Sequence, residues 1–113
     1  MKALSVRQPW ANLITSGEKT IETRTWKTNY RGEILICSSK SPKIEPYGKA
    51  LCVATIYDCK PMLKEDTKRA CCDWYEGYSW FLKDIKPIVP FDVTGQLNLF
   101  DVDDNLIVYK YGK

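Results

Sequence analysis

The sequence contains no histidine. A mechanism built on an imidazole base, or a zinc site with His ligands, is therefore excluded for this chain acting alone. Five cysteines occur, Cys37, Cys52, Cys59, Cys71 and Cys72, with no Cys-x-x-Cys pair among them. The odd count, and the lack of any stretch resembling a signal peptide, lead us to expect reduced thiols and a cytoplasmic protein. Cys37, Cys52 and Cys59 fall in apolar, strand-like runs and read as small buried hydrophobes. Cys71 and Cys72 are only two adjacent thiols, too few for a metal centre, so no metal and no cofactor are expected. No apolar run approaches the ~20 residues that a membrane span needs. Charge of one sign is not in large excess either: 17 Lys and Arg against 14 Asp and Glu give +3. That balance permits contact with nucleic acid but falls short of a protein that coats it.

What is present is enough for one ordinary domain over residues 1–113. Hydrophobic residues make up 44% of the chain, enough to build a core. Ala3 to Val6 is a short first strand. Gln8-Pro9-Trp10 opens a helix, with Pro at a first-turn position where its missing N–H costs nothing. Trp10, Leu13 and Ile14 supply one apolar face, and Gly17 ends the helix. Thr20 to Trp26 is β-branched and alternates, which puts Glu22, Arg24 and Trp26 on one face of a strand and Ile21, Thr23 and Thr25 on the other. After a turn at Asn29 to Gly32, Glu33 to Cys37 is apolar enough to be buried on both faces. Ser38 to Gly48 reads as a loop.

Lys49 to Cys59 carries the strongest strand signal, ended by Pro61. Lys64 to Tyr75 reads as a helix or helical loop, and Tyr78 to Leu82 as an aromatic strand. Lys86 to Pro90 reads as a Pro-bounded connection. Short strands follow at Phe91 to Val93, Leu97 to Val102 and Leu106 to Tyr109. Many short strands with one or two helices predict a small, mostly β (α+β) barrel.

The sharpest local feature is Gly17-Glu18-Lys19-Thr20-Ile21-Glu22-Thr23-Arg24. Buried unpaired, three such charges would each cost several kcal/mol, so they must pair with one another, face water or meet a ligand. A solvated face or a mutual ion-pair network would explain them without any function. Their neighbours point further. Arg7, Gln8, Trp10, Trp26, Lys27, Tyr30 and Arg31 mix cations with flat rings, a combination suited to a phosphate and a base. Trp10 also fits the core, because it lies on the apolar face of its helix.

At these residues the chain resembles the ASCH family of the PUA-like superfamily. The family signature, Gly-x-Lys-x-x-Glu-x-Arg after a short helix, is matched by Gly17, Lys19, Glu22 and Arg24. The lead-in Leu4-Ser5-Val6-Arg7-Gln8-Pro9-Trp10-Ala11 is similar to the family's opening. So are Trp26, the Tyr30-Arg31-Gly32 turn, the strand Val53 to Cys59, Tyr78-Ser79-Trp80 and Gly95-Gln96-Leu97-Asn98-Leu99-Phe100.

The resemblance implies a β-barrel with helices over its openings and a cleft that binds RNA, a nucleoside or a nucleotide, in connection with translation or RNA metabolism. Lys19 and Arg24 would then contact phosphate or a carbonyl oxygen, and Glu22 would position Lys19 or a base edge. Ser5, Arg7, Gln8, Trp10 and Trp26 would line the same cleft, joined by Ser38 and Tyr78. The alternative it implies is a small hydrolase acting on RNA or on a modified nucleoside, with Lys19 and Glu22 catalytic. Bacterial acetylcytidine amidohydrolases resemble this group and use a matching lysine with a threonine nucleophile three residues on. Here Glu22 holds that place, and a carboxylate activates water rather than forming the same acyl intermediate. No role is assigned to residues 41–48 or 63–77.

Overall fold

The apolar and β-branched runs form strands β1 (Lys2–Val6), β2 (Ile21–Arg24), β3 (Gly32–Ser38), β4 (Lys49–Pro61), β5 (Tyr78–Asp92) and β6 (Phe100–Asp101), with helices α1 (Trp10–Ser16) and α2 (Thr67–Ala70). These come from a computed structural model, which describes residues 1–112. The strands make one sheet in the order β2-β5-β4-β3-β1-β6. All neighbours are antiparallel except β1 and β3, which run parallel from Ala3↔Leu35 to Val6↔Ser38.

Both faces of the sheet are covered, as the continuous apolar character of residues 34–37 requires; Glu33, at the start of that run, is exposed. Ile34 and Ile36 point to one core, with Leu4, Val6, Ala54, Ile56 and Trp80 and with Ala11 and Ile14 of α1. Leu35 and Cys37 point to the other, with Ala3, Ala50, Val53, Ile88 and Phe100. The C-terminal Val102, Ile107 and Tyr109 pack on this second core.

Three expectations are corrected. The sheet is not closed by hydrogen bonds, so the barrel is an open one with β2 and β6 at its edges. β6 pairs only Lys2 and Ala3, which leaves the far half of β1 without a strand on that side. Next, residues 86–90 are not a connection: β5 runs through Pro87 and Pro90 without a break. Proline cannot donate to a ladder and is tolerated where pairing is irregular. The β4–β5 register shifts at Ala50/Cys52, beside Pro87, and again at Val53/Thr55, where Asp84 takes a φ of 52°. Finally, the strand expected at 106–109 is a 3₁₀ turn, Asp104–Leu106, followed by a single bridge between Ile88 and Tyr109.

Burial separates the thiols. Cys37 and Cys52 are buried, and desolvation pushes the first up to about 12 and the second up to about 11. Both shifts are upward, so the unfolded chain loses these protons first. The stability the two thiols contribute is intact below about pH 9, the ordinary thiol value. Above it, unfolding should become easier by up to about 1.4 kcal/mol per pH unit for each thiol. Denaturant midpoints measured between neutral and strongly alkaline pH check this; a C37A/C52A double variant should lose that part of the slope.

Candidate functional site

Gly17 ends α1 in a left-handed conformation (φ 88°), and the chain turns directly into Lys19 and β2. β2 pairs with β5 from Ile21↔Phe81 to Arg24↔Tyr78, which fixes the direction of Glu22 and Arg24. The three signature charges meet at the seam where the sheet stays open. Lys19 is 1% exposed and Glu22 is 6% exposed, so the cluster is built into the protein rather than spread over its surface.

Its geometry is a chain of ion pairs. The Arg24 guanidinium grips one oxygen of Glu22, with Nε at 3.0 Å and Nη2 at 2.8 Å from Oε2. The other oxygen, Oε1, lies 3.5 Å from Lys19 Nζ. Lys19 Nζ also donates to the carbonyl oxygen of Ala70. Arg24 Nη2 donates to the carbonyl oxygen of Ser5 at 2.8 Å, so a side chain ties the edge of β2 to β1 where backbone pairing stops. Two cations about one carboxylate leave a net positive floor, and hydrogen bonds with a charged partner are the strong ones.

Above this floor opens a cleft of about 650 Å³. That lies within the ~300–1,000 Å³ typical of small-molecule sites. Trp10, Trp26 and Tyr75 provide aromatic surface along it, and Ser5, Arg7, Thr23 and Cys72 supply polar groups. Trp26 stands edge-on to the fully buried Trp80, with ring centroids 4.8 Å apart, and its carbonyl accepts from Trp80 Nε1 at 3.3 Å. Burial pushes the Tyr75 phenol above its ordinary value, and the Glu22 charge adds to that; hydrogen bonding to Thr23 works the other way. At neutral pH Tyr75 is therefore a neutral hydroxyl, able to donate.

A sequence profile of the ASCH domain matches residues 4–92. The chain belongs to the ASCH domain family, within the PUA-like superfamily. The crystal structure of ASCH from Zymomonas mobilis is similar in fold, with a TM-score of 0.73 at 15% identity over 92% of this chain and 88% of that one. Two single-substitution forms of the same Zymomonas protein superpose with TM-scores of 0.72 and 0.73. Among curated proteins, human Activating signal cointegrator 1 is 47% identical over 36 residues, which are 32% of this chain and 6% of that protein.

The ASCH cleft brings together Ser5, Arg7, Trp10, Lys19, Glu22, Arg24 and Trp26. It does not take in the other three residues assigned to it. Gln8 is buried: its Nε2 donates to the Pro46 carbonyl at 2.7 Å, and its Oε1 accepts from the Asn12 backbone at 2.9 Å. It therefore pins residues 41–48 to α1. Ser38 is buried against Lys49, accepting from its N–H at 3.1 Å and donating to its carbonyl at 3.3 Å. Tyr78 packs on the first core. Tyr30 and Arg31 turn elsewhere, Tyr30 to the Glu33 carbonyl and Arg31 towards Asp58 at 3.9 Å.

Tyr75 and Cys72 were invisible in the sequence because they belong to residues 63–77. That segment reaches the signature only through tertiary contacts: the Thr20 N–H donates to the Arg69 carbonyl at 3.0 Å, and Trp10 Nε1 to the Cys71 carbonyl at 3.1 Å. Gly77 makes the close approach possible, since a Cβ there would come within 2.7 Å of the Arg24 carbonyl and 2.6 Å of the Tyr75 ring. Thr23 and Thr25 were placed on the opposite face of their strand, yet they border the cleft. β2 is an edge strand, so residues of both its faces reach the opening.

Among the described residues no cluster of His, Cys, Asp or Glu has the makings of a metal site. Nor is any helix among them long and apolar enough to cross a membrane.

Proposed function

We propose that the cleft binds RNA, taking one base between Trp10, Trp26 and Tyr75 and an adjoining phosphate or carbonyl oxygen over Lys19 and Arg24. The observation that carries this reading is the buried Lys19–Glu22–Arg24 cluster beneath an aromatic-walled opening. Stacking on aromatic rings serves any base, and a net positive floor serves the phosphate. With five unpaired thiols, the reading is of a protein of the cytoplasm.

A hydrolytic role is less well supported. Both oxygens of Glu22 are already engaged, one by Arg24 and the other by Lys19, which leaves it poorly placed to take a proton from water.

The test is a titration of intrinsic tryptophan fluorescence with short single-stranded RNA at two salt concentrations. Arg7 lines the cleft, is exposed and belongs to no ion pair among the described residues, so Arg7→Ala leaves the fold alone. The variant should bind about tenfold more weakly, and its dependence of log affinity on log salt should be shallower by about one. Equal affinity and equal slope in the two proteins would remove Arg7 from the site; no response in either would remove RNA.

A further inference from the structure

A second cavity of about 580 Å³ adjoins the cleft and shares Ser5, Arg7 and Arg24 with it. It continues past Lys40 to Thr94, Gln96 and Asn98. Every charged side chain lining it, Arg7, Arg24 and Lys40, is a cation. Arg24 is committed to Glu22 and to the Ser5 carbonyl. Arg7 and Lys40 have no ion-pair partner among the described residues. The loop that forms its far wall is seated tightly on β1: a Cβ on Gly95 would come within 2.8 Å of Ser5 Oγ. Leu97 stands at the rim, 91% exposed, an apolar surface against which a base can lie.

Beyond Lys40 and Thr94 the character changes. The next recess, which Lys40 and Thr94 also line, adds Glu45 and Asp92 together with Lys49, and Asp92 already accepts from Lys49 Nζ at 2.5 Å. The excess of positive charge therefore begins at the cleft and ends at Lys40, where acids and lysines come into balance. A free nucleoside has no use for it, and a mononucleotide would have its phosphate served by the floor of the cleft. A chain with further phosphates would use it, because each phosphate set against an unpaired cation adds affinity through counterion release.

We propose that this second cavity holds the phosphodiester and the nucleotide that flank the one in the cleft, which makes the ligand a short single-stranded RNA segment rather than a nucleoside or mononucleotide. The inference rests on the reading of the cleft as an RNA site. Arg7 stands at the passage between the two cavities, Lys40 faces the flanking phosphate, and Gln96 and Asn98 offer hydrogen bonds to its sugar or base. Past Lys40 the two acids Glu45 and Asp92 balance the two lysines Lys40 and Lys49, so a phosphate placed further on gains nothing and the footprint ends there.

The experiment measures affinity for mono-, di-, tetra- and octanucleotides of degenerate RNA sequence, for the native protein and for Lys40→Ala and Lys40→Glu. Lys40 is an exposed side chain outside the cleft, so neither change threatens folding. Native affinity should rise about tenfold or more from mono- to tetranucleotide and then level off. Lys40→Ala should remove most of that gain, and Lys40→Glu all of it, with mononucleotide binding unchanged in both. If mononucleotide binds and length adds nothing, or if the gain survives in both variants, the second cavity is not a nucleotide subsite while the cleft reading stands. A further rise from tetra- to octanucleotide would overturn the boundary at Glu45 and Asp92. If no length binds, the cleft reading falls and this inference with it.

Discussion

Glu22→Ala is expected to destabilise the protein by about 3–5 kcal/mol, the usual cost of stripping a buried ion pair of one partner. Among the described residues Glu22 is the single anion between Lys19 and Arg24. Without it, Lys19 stays 98–99% buried with, among the described residues, only the Ala70 carbonyl as a partner, and Arg24 loses both bonds that aim it at Ser5. An uncompensated ammonium in that position costs more than the carboxylate's own packing contributes. Urea denaturation gives the value directly. The pairing account carries a sharper consequence. Lys19→Met in the Glu22→Ala background should recover a substantial part of the loss, because the stranded charge is gone and an apolar chain of similar length fills its place. A double variant less stable than Glu22→Ala alone would show that the cluster matters through packing rather than charge. The mild alternative from the sequence, a solvated charged face, predicts changes within about 0.5 kcal/mol for the same substitution.

Trp80→Ala should cost a similar amount, about 3–5 kcal/mol, through a different mechanism. Trp80 is wholly buried at the centre of the first core, opposite Glu22 in the β2–β5 register. Its ring supports Trp26 edge-on, and its Nε1 holds the Trp26 carbonyl. Removing it leaves a large void and frees one wall of the cleft, so stability and binding should fall together. Trp80→Phe separates the two effects. Most of the core volume is kept, the loss of one hydrogen bond costs about 1 kcal/mol, and Trp26 is less firmly held. RNA affinity in Trp80→Phe should then drop by more than the small stability change implies. Native affinity in that variant would mean that Trp26 is positioned by something other than Trp80.

The floor and part of the walls of the cleft were legible in the sequence because they are local. A left-handed glycine after a short helix, then two charges at alternate positions of a β-branched strand, bring Lys19, Glu22 and Arg24 within reach of one another through backbone geometry alone. The same alternation put Trp26 beside them, and of residues 33–37, read as buried on both faces, 34–37 are so, while Glu33 is exposed and pairs with Lys86. Gln8 and Ser38 were read as ligand groups, but both are spent on backbone partners, which a one-dimensional pattern cannot reveal. A buried amide or hydroxyl must find a partner, and which one it finds depends on where loops return.

The sequence by itself determined a mostly β protein, the family signature and the charge trio. Each follows from residue type and from a short period along the chain. Tertiary structure decided whether those charges would lie in water or under a wall. The wall comes from residues 63–77, about fifty positions further on, and no spacing rule connects Ala70 with Lys19 or Tyr75 with Thr23. It also decided that the sheet would stay open between β2 and β1, because β6 is too short to pair Ser5 and an arginine side chain spans the gap instead. Long-range closure is set by the packing of whole elements against one another, so the cleft exists only once the chain has folded.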